Sequence, residues 1–155
     1  MFYPMFYRFD YEAKFYADLS RVPLHVRMKL DLTGVKISLK DWLSFSFEER
    51  TLLCHLSVDT AEEKQAFCAY LHFLSQKYRG APAATTEAVD PLLWSEAQVP
   101  PPVEQKSAAC ARAVTLGEWA VWSAPERYAL YKTAVSQSQP EAFERVLKQL
   151  RDGKN

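Results

Sequence analysis

The sequence predicts an all-α fold: a single helical domain of two pseudo-repeated multi-helix units joined by a Pro/Ala-rich connector. Three observations lead there. One type of helix-start signal recurs six times, apolar residues fall at i, i+3, i+4 spacing, and residues 22–53 match residues 99–130 without a gap at an offset of 77. The match pairs ten identities, among them Pro23 with Pro100, Trp42 with Trp119, Arg50 with Arg127 and Leu53 with Leu130. That period is longer than the ~20–50 residues of solenoid units, so it reads as a duplicated multi-helix unit and not an array.

The first segment, residues 1–20, is an N-terminal arm in which Phe9, Tyr11, Phe15 and Leu19 point to a helix packing on the first half. Unit one, residues 21–80, opens with a helix after Pro23 that Gly34 can end in the left-handed conformation. Ser38 with Asp41, Ser46 with Glu49 and Thr60 with Glu63 then mark three helix starts. In each, a hydroxyl accepts from a first-turn amide while an acid three residues on reaches back. Leu39, Trp42 and Leu43 form one predicted apolar face. Phe67, Tyr70, Leu71, Leu74 and Tyr78 form a longer stripe that ends at Gly80, with Lys77 and Arg79 placed favourably for the helix dipole.

The connector, residues 81–98, is rich in Pro, Ala and Thr and should run extended, with Leu92, Leu93 and Trp94 pinning it to the core. Unit two, residues 99–153, repeats the plan. Pro100 opens a helix, and Thr115 with Glu118, Ser123 with Glu126 and Ser138 with Glu141 mark three more starts. Leu116, Trp119 and Ala120 form the matching short face, and Phe143, Val146, Leu147 and Leu150 the closing stripe before Gly153. Pro125 and Pro140 fall in first turns, where a missing amide hydrogen costs nothing. Ala111 stands where the first half has Gly34, which leaves that helix end less defined.

Charge bounds the function. The 19 basic and 19 acidic residues cancel, and each half balances as well, which argues against binding nucleic acid through its phosphates. One stretch departs from this balance. Residues 21–40 carry Arg21, Arg27, Lys29, Lys36 and Lys40 against Asp31 alone, a solvated helix face or a docking patch for an acidic partner. No run approaches the ~20 apolar residues of a membrane span. The start has no basic segment ahead of its aromatics, so the expected location is cytoplasmic.

The chemistry-bearing residues are sparse. Four scattered glycines exclude a phosphate-cradling loop, and three odd, widely spaced cysteines read as free thiols. Cys68 and His72 are one helical turn apart and, with Cys54 or His55, offer a zinc set. Cys68 beside the apolar stripe reads more simply as a core residue, and no metal or cofactor is assigned. Trp42 and Trp119 read as core anchors; with Trp122 they are also the walls a small ligand would need in the alternative reading of a sensor or carrier. Arg50 and Arg127 are expected to tie each short helix pair together, and no set of residues assembles a catalytic site.

The run "VPLHVRMKLDLTGVKISLKDW" at residues 22–42, followed by Phe45 and by "EER" ending at Arg50, resembles the nitrate reductase-associated protein family. "FDYEAKFYADL" at residues 9–19 and "LGEWAVWSAPERYALYK" at residues 116–132 are similar to the family's flanking elements. Members are typically encoded in bacteria beside assimilatory nitrate reductase and molybdopterin cofactor synthesis genes. The resemblance implies a non-catalytic helper that binds the reductase polypeptide or a molybdenum cofactor synthesis protein, and the basic stretch, together with exposed aromatics near the N-terminal arm, is the surface expected to meet that partner. It brings no catalytic residues, and the chain lacks an iron–sulfur cysteine pattern. Ala111 and the added Pro101 and Pro102 are local departures from the first motif.

Overall fold

The computed structural model describes residues 6–137 and 140–153. After a 3-10 turn at Asp10–Glu12 the helices are α1 (Ala13–Tyr16), α2 (Leu24–Thr33), α3 (Leu39–Ser44), α4 (Phe47–His55), α5 (Ala61–Arg79), α6 (Pro101–Cys110), α7 (Leu116–Val121), α8 (Ala124–Val135) and α9 (Pro140–Asp152). A second 3-10 turn spans Pro91–Trp94. The chain divides into two compact units. One is built from the arm up to Arg8 together with Glu12–Val89, the other from Phe9–Tyr11 and from Asp90 onward.

The local signals form as chemistry requires. Ser38, Ser46, Thr60, Thr115 and Ser123 each accept from the amide three residues on, and the acid there accepts from the cap's own amide. Each such hydroxyl is worth about 1 kcal/mol. The sixth signal falls on Ser138, outside the described residues. Gly34 and Gly80 end α2 and α5 with φ of 73° and 76°. Ala111 is not left-handed, and its amide simply bonds Ser107 O as α6 stops.

In the first unit the core joins Leu19, Val22, Val26, Leu30, Trp42, Phe45, Leu53, Phe67, Leu71 and Leu74. A two-residue antiparallel ladder, absent from the all-α reading, pairs β1 (Val35–Lys36) with β2 (Ala84–Thr85). It forms because Gly34 turns the chain out of α2 into an extended course beside the connector, where Thr86 N–H donates to Gly34 O at 2.8 Å. Val89 N–H likewise donates to Asp31 O at 2.8 Å. In the second unit α8 packs on α9, on α6 and on the Pro91–Trp94 turn. Trp94, Val103, Trp119, Tyr128, Leu130, Phe143, Val146, Leu147 and Leu150 are buried.

Three packing expectations need correction. Leu39 and Leu43 are exposed beside a fully buried Trp42, and Leu116 and Ala120 beside Trp119. A six-residue helix buries a narrow arc, and its i−3 and i+1 neighbours stand about 60° and 100° away from the indole. Of the three connector residues expected to pin it, Trp94 alone is buried, while Leu92 is 74% exposed and Leu93 also faces solvent. The tight 3-10 winding turns one side chain of the four inward. Phe9–Tyr11, expected on the first half, belongs to the second unit instead, where Asp10 N–H donates to Gln149 Oε1 at 2.7 Å and Arg145 lies over the Tyr11 ring at 5.9 Å.

Candidate functional site

The basic stretch separates by helical geometry. Arg21 is exposed just before α2, Arg27 on α2, Lys36 on β1 and Lys40 on α3. Among the described residues none of these four forms an ion pair, and Arg27 Nε donates to Val22 O at 3.1 Å. Two other cations of the unit are engaged: Lys77 pairs with Glu49 at 2.8 Å, and Arg79 lies 3.8 Å from Asp41.

Lys29 does not belong to this surface. Two positions after Arg27 on α2, about 200° around the helix, it is 1% exposed. Its Nζ donates to Cys54 O at 2.6 Å and to Leu53 O at 3.4 Å. These carbonyls lie in the last turn of α4, where acceptors have no partner within the helix and the dipole favours a cation. Burial draws the Lys29 ammonium down to about 8 and pushes the Cys54 thiol up to about 12.

A second buried polar group joins the arm to the start of α2. Glu12 Oε2 accepts from Leu24 N–H at 3.0 Å, and Glu12 Oε1 accepts from the Tyr16 hydroxyl at 2.5 Å. His25 Nδ1 accepts from Tyr7 N–H at 2.6 Å, and Phe6 stacks on its ring. Burial raises the Glu12 carboxyl to about 7 despite those hydrogen bonds. Burial, aided by the Lys29 charge, lowers His25 to about 3. The sequence reading singled out neither residue for this role. A signal was present nonetheless: Pro23 caps α2 without a side-chain oxygen, so the first-turn amides need an acceptor from elsewhere. In the second unit Pro101 and Pro102 occupy those positions and carry no amide hydrogen.

The repeated Trp and Arg residues make matching contacts. Trp42 Nε1 donates to Leu19 O and Trp119 Nε1 to Ser95 O, each at 2.7 Å. Arg50 holds Phe45 O at 3.1 Å, Asp18 O at 2.9 Å and Leu19 O at 3.0 Å. Arg127 holds Trp122 O and, at 2.8 Å, Trp94 O. Each guanidinium thus ties the corner after a short helix to the segment that enters the unit. With Trp42 and Trp119 fully buried and their N–H groups bonded, two of the three walls drawn for a small-ligand pocket belong to the cores of their units. His72 Nδ1 accepts from Ala83 N–H at 3.1 Å, and among the described residues no three ligating side chains come together for a metal.

These features define a small all-α protein whose helices are closed by capping boxes and by ionisable side chains brought in from other segments. A family model described as the conserved nitrate reductase-associated protein matches residues 8–150, and the chain belongs to that family. Neither curated proteins nor solved structures yield a match to the chain. Among the described residues no helix is long and apolar enough to cross a membrane.

Proposed function

We propose that the chain is a cytoplasmic, non-catalytic accessory factor of assimilatory nitrate reductase. It acts by binding protein, either the reductase polypeptide or a component that makes or inserts the molybdenum cofactor. The observation that carries this reading is the family match across residues 8–150, whose description is association with nitrate reductase. Arg21, Arg27, Lys36 and Lys40, exposed and outside any ion pair among the described residues, support an acidic partner surface. Cations of that kind speed encounter and select partners more than they add affinity. Lys29 takes no part, since its ammonium serves α4. The engagement of the buried ionisable groups at helix ends favours a structural use of them over acid–base catalysis. We also read the matching Trp and Arg contacts as the mark of a duplicated unit, so what differs between the copies, above all charge, is the place to look for function.

Co-purification from cells growing on nitrate tests the reading, with wild-type bait beside an Arg27→Glu/Lys36→Glu double variant. Enrichment of nitrate reductase or of a cofactor-synthesis protein with the wild type, reduced for the variant, is the expected result. Enrichment of neither, together with unchanged nitrate reductase activity after deletion, would overturn it.

A further inference from the structure

The outer side of α3 carries Leu39, Lys40 and Leu43, which fall within about 100° of arc around the helix. Lys40 stands nearly opposite the fully buried Trp42, while Leu39 and Leu43 are 50% and 45% exposed. Lys36 is held by the ladder opposite Ala84, and its four-residue separation from Lys40 spans at most about 14 Å of chain. Neither lysine forms an ion pair among the described residues. Asp41, the only acid between Lys36 and Ser44, is already used: it accepts from the Ser38 amide and lies 3.8 Å from Arg79. The fold does not require the two cations. At the equivalent positions unit two has Ala113 and Gly117, yet α7 forms there with the same capping box and the same buried tryptophan. A cation in the first turn of a helix also gains nothing from the dipole.

We propose that the outer face of α3, with Lys36, is the docking site for an acidic amphipathic segment of the protein partner. Apolar side chains of that segment cover Leu39 and Leu43 while its carboxylates meet Lys36 and Lys40. This deepens the accessory-factor reading and rests on it.

The combination of charge and apolar exposure selects this occupant. Arg21 and Arg27 are exposed too, but the apolar residues beside them in the chain, Val22, Leu24, Val26 and Met28, are all buried. Cations alone attract any anion; cations set beside exposed leucines favour a ligand that offers carboxylates and apolar groups together. Nucleic acid supplies phosphates and nothing to cover the leucines. Two lysines are too few for a membrane surface, where recognition of anionic lipid takes clusters of about 4–8 basic residues. A helix of six residues measures about 9 Å, so the face alone makes a small contact of the transient kind. Charge then steers the encounter, and added salt weakens it.

The full chain, expressed as bait in cells growing on nitrate with a photo-crosslinking amino acid in place of Leu43 or, separately, of its equivalent Ala120, tests the docking site. Crosslinked peptides are sequenced by mass spectrometry. From position 43 the expected product is a segment of nitrate reductase or of a cofactor-synthesis protein in which acidic and apolar residues alternate, in yield at least about fivefold above position 120. Lys40→Glu and Leu43→Ser, both at exposed positions, should each lower the co-purified partner by about fivefold or more without moving the unfolding midpoint, and Ala120→Ser should leave it within about twofold. A crosslink from position 43 to a neutral or basic segment, to lipid, to nucleic acid or to a second copy of this chain overturns the proposal, as do equal yields or equal losses at the two helices. Absence of any crosslink at position 43 while the bait still co-purifies nitrate reductase also overturns it and leaves the accessory role standing. If neither nitrate reductase nor a cofactor-synthesis protein co-purifies with the wild-type bait, the accessory reading itself fails and the docking site falls with it.

Discussion

The backbone N–H of Leu24 donates to Glu12 Oε2 at 3.0 Å, so α2 is capped by a carboxylate twelve residues upstream. The usual local cap is missing because Pro23 occupies its position. Removing the carboxyl leaves a buried amide without its acceptor, a loss of about 1–3 kcal/mol. Glu12→Ala is therefore expected to lower the unfolding free energy at pH 7 by that amount. Glu12→Gln, which retains an oxygen and has no charge to bury, should stay within about 1 kcal/mol of wild type. Urea unfolding of the three proteins checks this, and a loss in Glu12→Gln as large as that in Glu12→Ala would show that the retained oxygen does not serve as the cap.

Gly34 and Gly80 share a left-handed conformation but differ in surroundings. A Cβ on Gly34 would meet Thr86 O at 2.5 Å and Ala88 N at 3.2 Å, both backbone atoms, whereas a Cβ on Gly80 meets nothing within 4 Å. Gly80→Ala should carry only the conformational cost, about 1 kcal/mol. Gly34→Ala must also displace the connector that forms β2, and a loss of more than about 2 kcal/mol is expected. Equal losses in thermal unfolding would mean that the connector yields without cost.

Arg50 and Arg127 each bridge backbone carbonyls from two segments, and that use needs a planar fork of several donors. A lysine supplies one ammonium on a flexible stem and cannot reach both segments in the same way. Arg50→Lys and Arg127→Lys are each expected to destabilise by about 1.5–3 kcal/mol, the range for hydrogen bonds from a charged donor. Denaturation midpoints check this. A loss confined to one of the two would show that the matching contacts carry unequal weight.

What could be read from the chain was what is decided within a few residues. The capping pairs, the glycine stops and the helix after Pro23 depend on neighbours one to four positions away, and they formed as the local chemistry requires. The inward turn of Lys29 was also legible in principle, because its angle from the exposed Arg27 follows from helix geometry. The cap that Glu12 provides and the ladder of Val35 with Thr85 were not legible. Each joins segments that approach only after folding, and neither has a periodic signature. The exposure of Leu39, Leu43 and Leu92 has the same origin: spacing sets the angle of a side chain on its helix, while the width of the buried arc is set by the neighbours that helix acquires.

The acid limit of stability should be set largely by the capping-box carboxylates, with Glu118 the clearest case. Its oxygens accept from Arg151 Nε at 2.9 Å, Arg151 Nη2 at 3.1 Å, Thr115 N–H at 3.2 Å and Arg112 Nη1 at 3.3 Å. Partial burial alone would raise its pKa, but the Arg151 fork, the Thr115 amide and Arg112 together hold it at about 2. Glu49 is held at about 2 in the same way: burial acts upward and is outweighed by Lys77, the Ser46 amide and Tyr78. A carboxyl whose folded value lies below its unfolded 4.5 contributes stability that is present above pH 4.5 and lost as pH falls towards 2. Glu118→Gln keeps the capping acceptor but loses the charge. It is expected to be less stable than wild type at pH 7 by about 1–2 kcal/mol, a figure reduced for the solvent that reaches the pair. The gap should narrow below pH 4.5 and close near pH 2, as wild-type Glu118 becomes neutral too. Urea unfolding at stepped pH measures that convergence, and a gap that stays constant from pH 7 to pH 2 would assign the loss to packing and not to the ion pair with Arg151.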